Sequence, residues 1–286
     1  MAEDSHSPRE NAEAKSYRVL ARKYRPRSFD DLIGQEPMVR TLTNAFESNR
    51  IAQAWMLTGV RGVGKTTTAR ILARALNYET DTIHQPTIHM VEPGIHDQAI
   101  MEGRHVDVVE MDAASHTGID DIREIIAQVR YRPVSARYKV YIIDEVHMLS
   151  TSAFNALLKT LEEPPAYVVF ILATTEPQKL PATILSRCQR FDFGRIPAHQ
   201  IAGRLRQAAE GAKAEASENA LMLIARAAEG GMRDALSILD MCLGYSNQVT
   251  EDLVRNVLGT SDRSFLFRFA DALEKEDASA VMRMID

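Results

Sequence analysis

Short apolar runs alternate with longer amphipathic segments through the first two thirds of the chain. The runs at 138–145 and 167–175 are almost continuously apolar, which is typical of strands that are buried on both faces. The predicted strands are 54–59, 105–112, 138–145, 167–175 and 188–193. The predicted helices between them are 64–77, 118–129 and 150–163. This alternation of strand and helix predicts an α/β domain with a mainly parallel sheet.

The pattern changes after Gly194, because only helical periodicity is present from Pro197 onward. The predicted helices are 198–213, 217–229, 232–246, 250–258 and 262 to the end. They predict a small helical bundle separate from the sheet domain. The last segment is still amphipathic where it stops, so we expect a chain cut inside a further domain. Residues 1–15 are polar and predict a disordered tail.

Composition excludes several classes of protein. The 286 residues are 45% hydrophobic and 26% charged, as in ordinary globular proteins, and suffice for roughly two domains. The net charge of −5 means that any contact with nucleic acid must come from a local basic patch. Cys188 and Cys242 are the only cysteines, which gives no disulfide framework, and no apolar run approaches the roughly 20 residues of a membrane span. We therefore expect a cytoplasmic protein.

The stretch GVRGVGKT, from Gly59 to Thr66, matches the phosphate-binding motif G-x-x-x-x-G-K-[ST]. Glycines in such a loop let backbone N–H groups turn toward phosphates at a helix N-terminus. Lys65 would reach the β- and γ-phosphates, and the Thr66 hydroxyl would ligate Mg²⁺. A chance match has odds of roughly one in a hundred in a chain of this composition. The predicted strand before the motif and the predicted helix after it favour the functional interpretation.

Two adjacent acids, Asp144 and Glu145, stand at the end of a predicted buried strand. Ligands bind at this end of the strands in open α/β sheets. Asp144 would hold Mg²⁺ through water, and Glu145 would position or polarise the attacking water. Acids that only cap the next turn are an equally good explanation of this pair alone, but the phosphate-binding motif favours a hydrolytic site.

Hydroxyls and an arginine follow further along. The next predicted strand ends in Thr174 and Thr175, either of which could bind the lytic water or the γ-phosphate, although threonine is common in strands. Arg187 comes just before the last predicted strand. It could stabilise a phosphoryl transition state, a role worth about 10³–10⁵ in rate, or it could be an ordinary surface residue.

Two further basic features have competing explanations. Arg233 begins a predicted helix, where a cation is unfavourable beside the helix dipole unless an anion lies nearby. That anion could be a γ-phosphate, or Arg233 could pair with Asp234 or Glu229. The segment 17–36 is basic and aromatic, so it could surround an adenine, contact nucleic acid or simply form a solvated face.

Together these segments resemble the ATPase subunits of bacterial sliding-clamp loaders, the gamma/tau family of DNA polymerase III. The resemblance covers about residues 16–260. It rests on VLARKYRPRSFDDLIGQE, GVRGVGKTTTARILA, DAASHTGIDDIREI, VYIIDEVHMLSTSAFNALLKTLEEPP, ATTEPQKLPATILSRCQRF and GGMRDALS. It implies an AAA+ fold: an α/β ATPase domain with a five-stranded parallel sheet at 16–196, an α-helical lid at 197–259, and the start of an α-helical collar at 260–286.

The resemblance also implies roles for individual residues. The implied catalytic residues are Lys65, Asp144, Glu145, Thr175 (or less well Thr174) as sensor 1, Arg187 acting in a neighbouring subunit's site, and Arg233 as sensor 2. The implied nucleotide-binding residues are Gly59, Gly62, Gly64, Lys65, Thr66, Thr67, Arg233 and, on the adenine side, Val19, Ala21, Tyr24, Arg25 and Pro26. The implied Mg²⁺ ligands are Thr66 and Asp144.

The function implied is that of an ATP-driven motor that loads a ring-shaped clamp onto primed DNA, within the DNA polymerase III holoenzyme. The implied partners are the delta and delta-prime subunits, further gamma/tau copies in a pentameric ring, the sliding clamp and primer–template DNA. Helix starts near Arg123 and Lys159 would face the DNA backbone. Two alternatives stay open: a nucleotide-binding assembly module without turnover of its own, and a different AAA+ motor such as a branch-migration helicase.

One stretch departs from the family. Relatives usually carry a four-cysteine zinc module between the Walker A helix and the next strand, and here those cysteines are absent. The stretch 79–96 instead holds His84, His89 and His96, whose spacing lacks the tight pairs typical of zinc sites. We expect no zinc site, but an insertion held by packing. The side chains expected to pack are Ile83, Ile88, Met90, Val91 and Ile95.

Overall fold

The computed structural model describes residues 19–116 and 118–259, together with positions 272, 274 and 277. The tail predicted for 1–15 therefore lies outside the described residues. So does the predicted collar segment 260–286, apart from those three isolated positions.

Five parallel strands form a single sheet, as the sequence predicted. The strands are β1 (Ala54–Thr58), β2 (Val108–Asp112), β3 (Lys139–Asp144), β4 (Val168–Thr174) and β5 (Gln189–Asp192). Their order across the sheet is β2-β3-β4-β1-β5. Because every pairing is parallel, all five carboxyl ends lie at one edge of the sheet. The loops that follow the strands at this edge are therefore neighbours.

A short first helix, α1 (Leu20–Lys23), precedes the sheet domain in sequence. Helices cover both faces of the sheet. The helices of the sheet domain are α2 (Glu36–Glu47), α3 (Lys65–Leu76), α4 (Asp97–Met101), α5 (Ile119–Val129), α6 (Thr151–Glu162) and α7 (Ala182–Leu185). Alternate residues of a strand point to opposite faces, so Trp55 and Leu57 pack with α2 and α3, whereas Met56 packs with α5 and α6. Burial on both sides explains why these strands are continuously apolar in sequence.

The strand predicted from 105 begins only at Val108, and the side chain of the preceding residue, Asp107, binds a loop. Its buried carboxylate accepts hydrogen bonds from the backbone N–H groups of Val134 (2.6 Å), Ser135 (2.8 Å) and Ala136 (2.8 Å). Burial alone would raise the pKa of Asp107, but these hydrogen bonds outweigh it and hold the pKa below its ordinary value. Asp107 thereby fixes the approach to strand β3.

A helical bundle, called the lid region below, follows the linker after β5. Its helices are α8 (Ala198–Gly211), α9 (Glu218–Ala227), α10 (Met232–Tyr245) and α11 (Glu251–Leu258). Two short parallel strands, β6 (Glu215–Ala216) and β7 (Gln248–Val249), join its loops, and the helical periodicity did not predict them. Helix α1 packs on α10, and Leu20 lies in the core of this bundle. The first described helix thus contacts the lid region.

Among the residues that the structure describes, no helix has the length and apolar character needed to cross a membrane.

We predict that Asp107→Asn lowers the free energy of unfolding by about 1–3 kcal/mol at pH 7, because an amide cannot accept all of these hydrogen bonds. The native carboxylate contributes fully above its unfolded pKa of about 3.9, and its contribution declines as the pH falls toward the lower folded value. The difference between the two proteins should therefore shrink below about pH 4. Urea unfolding measured from pH 7 downward checks both points.

The matched control is Asp81→Asn, which changes an exposed carboxylate in the same way and should stay within about 0.5 kcal/mol of the native protein. Equal stability of Asp107→Asn and this control at pH 7 would contradict the role given to Asp107.

Candidate functional site

The glycine-rich loop after β1 leads directly into α3. Its glycines have positive φ angles: +148° at Gly59, +80° at Gly62 and +106° at Gly64. A Cβ at Gly59 would lie 2.8 Å from the Cβ of Phe193 and 2.9 Å from its carbonyl oxygen, so no larger residue fits there. Gly64 precedes the first residue of α3 and has no side chain to cap it. The first N–H groups of α3 are therefore available to an anion.

Lys65 is almost fully buried, with 6% of the residue exposed. Its Nζ donates to the carbonyl oxygens of Gly59 (2.8 Å) and Val60 (3.1 Å) and so folds back onto its own loop. Burial lowers the pKa of Lys65, and the charges of Glu145 and Asp144 partly oppose the shift. The amine is thus held beside the loop by groups that a phosphate could replace.

Thr66 and Asp144 are 78 residues apart in sequence but are in contact in the fold. The Thr66 hydroxyl donates a hydrogen bond to Oδ2 of Asp144, and Oδ1 of Asp144 accepts from the backbone N–H of Glu145 at 3.0 Å. The hydroxyl and the carboxylate predicted to share a metal ion therefore lie side by side. Thr67, the next residue, also faces the cavity described below.

Glu145 follows β3 with a φ of +46°, an unusual value for a residue with a side chain. Its Oε2 accepts hydrogen bonds from the hydroxyl of Thr175 (2.9 Å) and from the Thr175 backbone N–H (3.2 Å). Thr174 instead is fully buried and contacts His147 and the N–H of Glu176. Of the two threonines considered, Thr175 is the one that touches the acid.

His147 was missed by the sequence analysis. Its nearly buried ring lies with Nδ1 2.9 Å from the Thr174 hydroxyl and 3.3 Å from Glu145 Oε2, and with Nε2 3.3 Å from Glu176 Oε1. Its position two residues after Glu145 was the only sign in the sequence that His147 belongs to the site. That position did not predict that Glu176 would approach from another loop.

One cavity of about 810 Å³ lies between the sheet domain, the N-terminal segment and the lid region. Of the groups described above, it is lined by Gly62, Gly64, Lys65, Thr66, Thr67, Asp144 and Glu145, but not by Gly59, Thr175 or His147. The adenine-side residues expected from the sequence all line it: Val19, Ala21, Tyr24, Arg25 and Pro26. Three hydrogen bonds tie this segment to the end of α8, including one from Lys23 Nζ to the Gly211 carbonyl oxygen at 3.2 Å. The cavity wall that would face a base is therefore fixed to the lid.

The cavity is rich in positive charge. Its cations are Arg22, Arg25, Arg61, Lys65, Arg70, Arg204 and Arg233. Burial lowers the pKa of Arg25, and the neighbouring Arg70, Arg233 and Arg22 lower it further, with Glu110 opposing them. Only Arg70 of these forms a salt bridge within the described residues, to Glu110 at 2.7 Å. Such a cluster favours a polyanionic ligand.

Arg233 lies at the start of α10, and its backbone N–H donates to the carbonyl oxygen of Gly62 at 3.3 Å. The alternative that it pairs with Asp234 or Glu229 is not met in the described part of the chain, where Glu229 faces Arg195 at 3.7 Å. The lid therefore touches the glycine-rich loop at Arg233.

Arg187 lies away from this cavity. It precedes β5, whose first residue pairs with Trp55 near the start of β1, so Arg187 is at the amino edge of the sheet, opposite the glycine-rich loop. A five-residue parallel strand separates the two edges by roughly 16 Å. Its guanidinium binds Glu162 at 2.5 Å and the Thr183 carbonyl oxygen at 2.6 Å.

Two expectations need correction. Arg123 lies in the first half of α5, but Lys159 lies in the last turn of α6 rather than near a helix start. In the stretch 79–96, Ile88 and Met90 pack against the core, but Val91 and Ile95 are 95% and 68% exposed. Between Val91 and Ile95 the stretch is held instead by Tyr78, whose hydroxyl donates to the Glu92 carbonyl oxygen at 2.7 Å.

Histidines of that region contact one another. Nδ1 of His96 lies 2.9 Å from Nε2 of His105, and Nε2 of His96 lies 3.9 Å from Glu79. Within the described ranges, no set of three or more His, Cys, Asp or Glu side chains is arranged to hold a metal ion. The expectation of no zinc stays a prediction.

Two family models match the chain. Residues 34–197 match the model described as DNA polymerase III, delta subunit, and residues 200–248 match the model for the ATPase lid domain of the DNA polymerase III clamp loader subunit. Among solved structures, the Holliday junction branch migration motor RuvB of Thermotoga maritima is 19% identical, with a TM-score of 0.61 over 89% of this chain and 80% of that one. This likeness supports the AAA+ fold alone.

Relatives in sequence are more similar. DNA polymerase III subunit tau of Bacillus subtilis is 44% identical over 95% of this chain, and that of Escherichia coli is 45% identical over the same share. The chain spans 48% and 42% of those two proteins, about half of their length. DNA polymerase III subunit gamma of Buchnera aphidicola from Acyrthosiphon pisum is 40% identical, and the chain covers 74% of it. The chain therefore belongs to the gamma/tau family of DNA polymerase III subunits and has an AAA+ fold.

Proposed function

We propose that this chain is an ATP-driven motor subunit of the bacterial sliding-clamp loader, which hydrolyses ATP to load a ring-shaped clamp onto primed DNA. One observation supports the proposal above all others. The glycine-rich loop, the Thr66–Asp144 pair and Glu145 line one cationic cavity, and Thr175 contacts Glu145. A helix N-terminus, a metal-binding pair and a carboxylate beside a hydroxyl are together suited to phosphoryl transfer to water.

The nucleotide would lie across this cavity with its base toward the segment Val19–Pro26. The N–H groups at Gly62 and Gly64, the Lys65 amine and the Thr67 backbone would bind the phosphates. Lys65 would exchange its carbonyl partners on Gly59 and Val60 for phosphate oxygens. Because those bonds are replaced rather than newly made, the buried amine stays paired in both states.

Thr66 and Asp144 fit a magnesium ion. A hydroxyl and a carboxylate already in contact supply the hard oxygen ligands that Mg²⁺ prefers. When bound, Mg²⁺ neutralises charge that develops on the phosphates. The hydrogen bond between Thr66 and Asp144 keeps both oxygens at one point until the ion is present.

Glu145 would orient the attacking water, and Thr175 would act as sensor 1. In this structure the Thr175 hydroxyl donates a hydrogen bond to the Glu145 carboxylate, so the two groups are bound to each other. A γ-phosphate that accepts from Thr175 would free the carboxylate for the water. Hydrolysis would thus depend on the presence of the third phosphate.

Arg233 and Arg187 would supply positive charge to the transition state from two directions. Arg233, carried by the lid at 197–259, would act on the nucleotide of its own chain as sensor 2. Arg187 is too far from its own glycine-rich loop and would complete the site of a neighbouring subunit. A ring with delta, delta-prime and further gamma/tau copies supplies such neighbours.

The remaining partners follow from the same assignment. They are the sliding clamp and primer–template DNA, whose phosphates would be contacted independently of base sequence. A subunit that acts on DNA in a bacterial cell would be located in the cytoplasm. We also propose the domain division 16–196, 197–259 and 260–286, as an ATPase domain, lid and collar.

A nucleotide-binding assembly module without turnover is the second candidate. The distance of Arg187 from its own cavity favours it for an isolated chain, which would lack an arginine finger.

We predict that Lys65→Ala weakens ATP binding and lowers DNA- and clamp-stimulated hydrolysis by at least about 100-fold, because it removes the buried cation beside the loop. The measurement uses the full-length protein with its partner subunits. Lys179→Ala, which removes an exposed amine outside the cavity, is the matched control and should keep nearly full activity. Equal activity of native protein and Lys65→Ala would overturn the assignment.

For Glu145→Gln we expect ATP binding to persist while turnover falls by about 10²–10⁴-fold, as for loss of a general base. Filter binding and steady-state hydrolysis separate the two quantities. A variant that loses binding and turnover in parallel would contradict the role of Glu145 in the chemical step.

Mixing two inactive variants tests whether Arg187 acts on a neighbour. The Lys65→Ala variant keeps Arg187, and the Arg187→Ala variant keeps an intact nucleotide site. In a mixed ring, Arg187 of one variant can act on the nucleotide site of the other. Such rings should therefore hydrolyse ATP faster than rings of either variant alone. A mixture no faster than its components, with native rings active, would exclude the action in trans. Negligible hydrolysis by native rings that bind ATP tightly would favour the assembly module.

A further inference from the structure

A short linker, residues 193–197, joins the last strand of the sheet to the first lid helix. The side-chain amide of Gln35 forms hydrogen bonds with both the N–H and the carbonyl oxygen of Gly194 in this linker. Nε2 of Gln35 donates to the carbonyl oxygen of Gly194 at 3.0 Å, and the backbone N–H of Gly194 donates to Oε1 of Gln35 at 3.3 Å. Gln35 is only 3% exposed, whereas Gly194 is exposed. A buried side chain thus fixes an otherwise open point of the backbone.

The same linker holds the turn that precedes α10. The N–H of Ile196 donates to the carbonyl oxygen of Gly230 at 3.2 Å, and Nη1 of Arg195 donates to that of Glu229 at 2.9 Å. Gly230 has a φ of +91°, and a Cβ there would lie 2.6 Å from the Cβ of Arg195. Linker and turn are therefore too closely packed to move independently.

This turn sets where Arg233 begins its helix. Gly231 is the residue before α10, and Arg233 contacts the glycine-rich loop through its N–H and the Gly62 carbonyl oxygen. Gly62 is also tightly packed against the lid, because a Cβ there would lie 3.3 Å from the Cα of Gly231. A continuous series of contacts thus joins Gln35 to Arg233.

We propose that Gln35 is a positioning residue that sets the lid's orientation on the sheet domain and thereby aims Arg233 at the bound nucleotide. The inference rests on the proposed function, since it concerns the nucleotide site. Asparagine is one methylene shorter, and a carboxylate cannot donate to Gly194, so only glutamine makes both bonds at this distance.

Gln35 also lines the cavity, but both of its hydrogen bonds go to the linker that carries the lid. Their loss would let the linker adopt other conformations, and the fraction of molecules with Arg233 correctly placed would fall. A ligand that needs that conformation binds more weakly by the same fraction. We expect Gln35→Ala to weaken nucleotide binding about tenfold, within the range typical of coupled sites.

A double-mutant cycle tests the proposal. The dissociation constant of a fluorescent, non-hydrolysable ATP analogue with Mg²⁺ is measured for native protein, Gln35→Ala, Arg233→Ala and the double variant. If Gln35 acts through Arg233, the tenfold effect of Gln35→Ala should disappear in the Arg233→Ala background. Gln35→Glu, which keeps the size but places an acceptor against the Gly194 carbonyl oxygen, should bind as weakly as Gln35→Ala.

Gln53→Ala is the matched control. Gln53 also donates to a backbone carbonyl oxygen, that of Pro165 at 2.8 Å, but it lies at the opposite edge of the sheet and outside the cavity. It should leave analogue binding unchanged. Thermal unfolding of every variant identifies any that do not fold.

Two results would overturn the inference: an unchanged dissociation constant in folded Gln35→Ala, or an equal effect of Gln35→Ala with and without Arg233. The second result would mean that Gln35 affects nucleotide binding independently of Arg233. Failure of the native protein itself to bind the analogue would instead sink the proposed function, and the Lys65→Ala variant distinguishes specific binding from background.

Discussion

Parallel pairing of all five strands is the constraint on which the rest of the structure depends. Because every strand runs the same way, residues from distant parts of the sequence meet at one edge of the sheet. Thr66 follows β1, Asp144 ends β3 and Thr175 follows β4, and they become neighbours without any local signal that connects them. Parallel strands need crossover helices, and those helices bury both faces of the sheet. Chemistry is thereby confined to the strand ends.

The sequence predicted the parts that depend on local pattern. Apolar runs predicted the buried strands, helical periodicity predicted the helices, and a motif of eight residues predicted the glycine-rich loop. The predicted and observed boundaries of these elements differ by only a few residues. Thr175 was preferred over Thr174 by resemblance, and the contact with Glu145 is consistent with that preference. Where hydrophobic burial on two faces decides the structure, a sequence pattern is informative.

The parts that depend on single long-range hydrogen bonds could not be predicted. Strand β2 begins only after Asp107, which binds a loop 27 residues away, and Gln35 meets Gly194 across 159 residues. His147 is surrounded by groups from a different loop. Val91 and Ile95 were expected to pack because they are apolar, but both are exposed, and hydrogen bonds from Tyr78 and the backbone hold that part of the stretch instead. Polar contacts of this kind have no period.

The position of Leu20 has a consequence for motion. Leu20 belongs to the lid core, and Lys23 binds the end of α8, so the segment that lines one side of the cavity is built onto the lid. The chain therefore passes between the lid and the sheet domain twice, once after Pro26 and once at Gly194. Two crossings define an axis, whereas a single one would allow rotation in any direction. Closure would move the base-facing wall and Arg233 together, so that recognition of the base and of the third phosphate become one mechanical event.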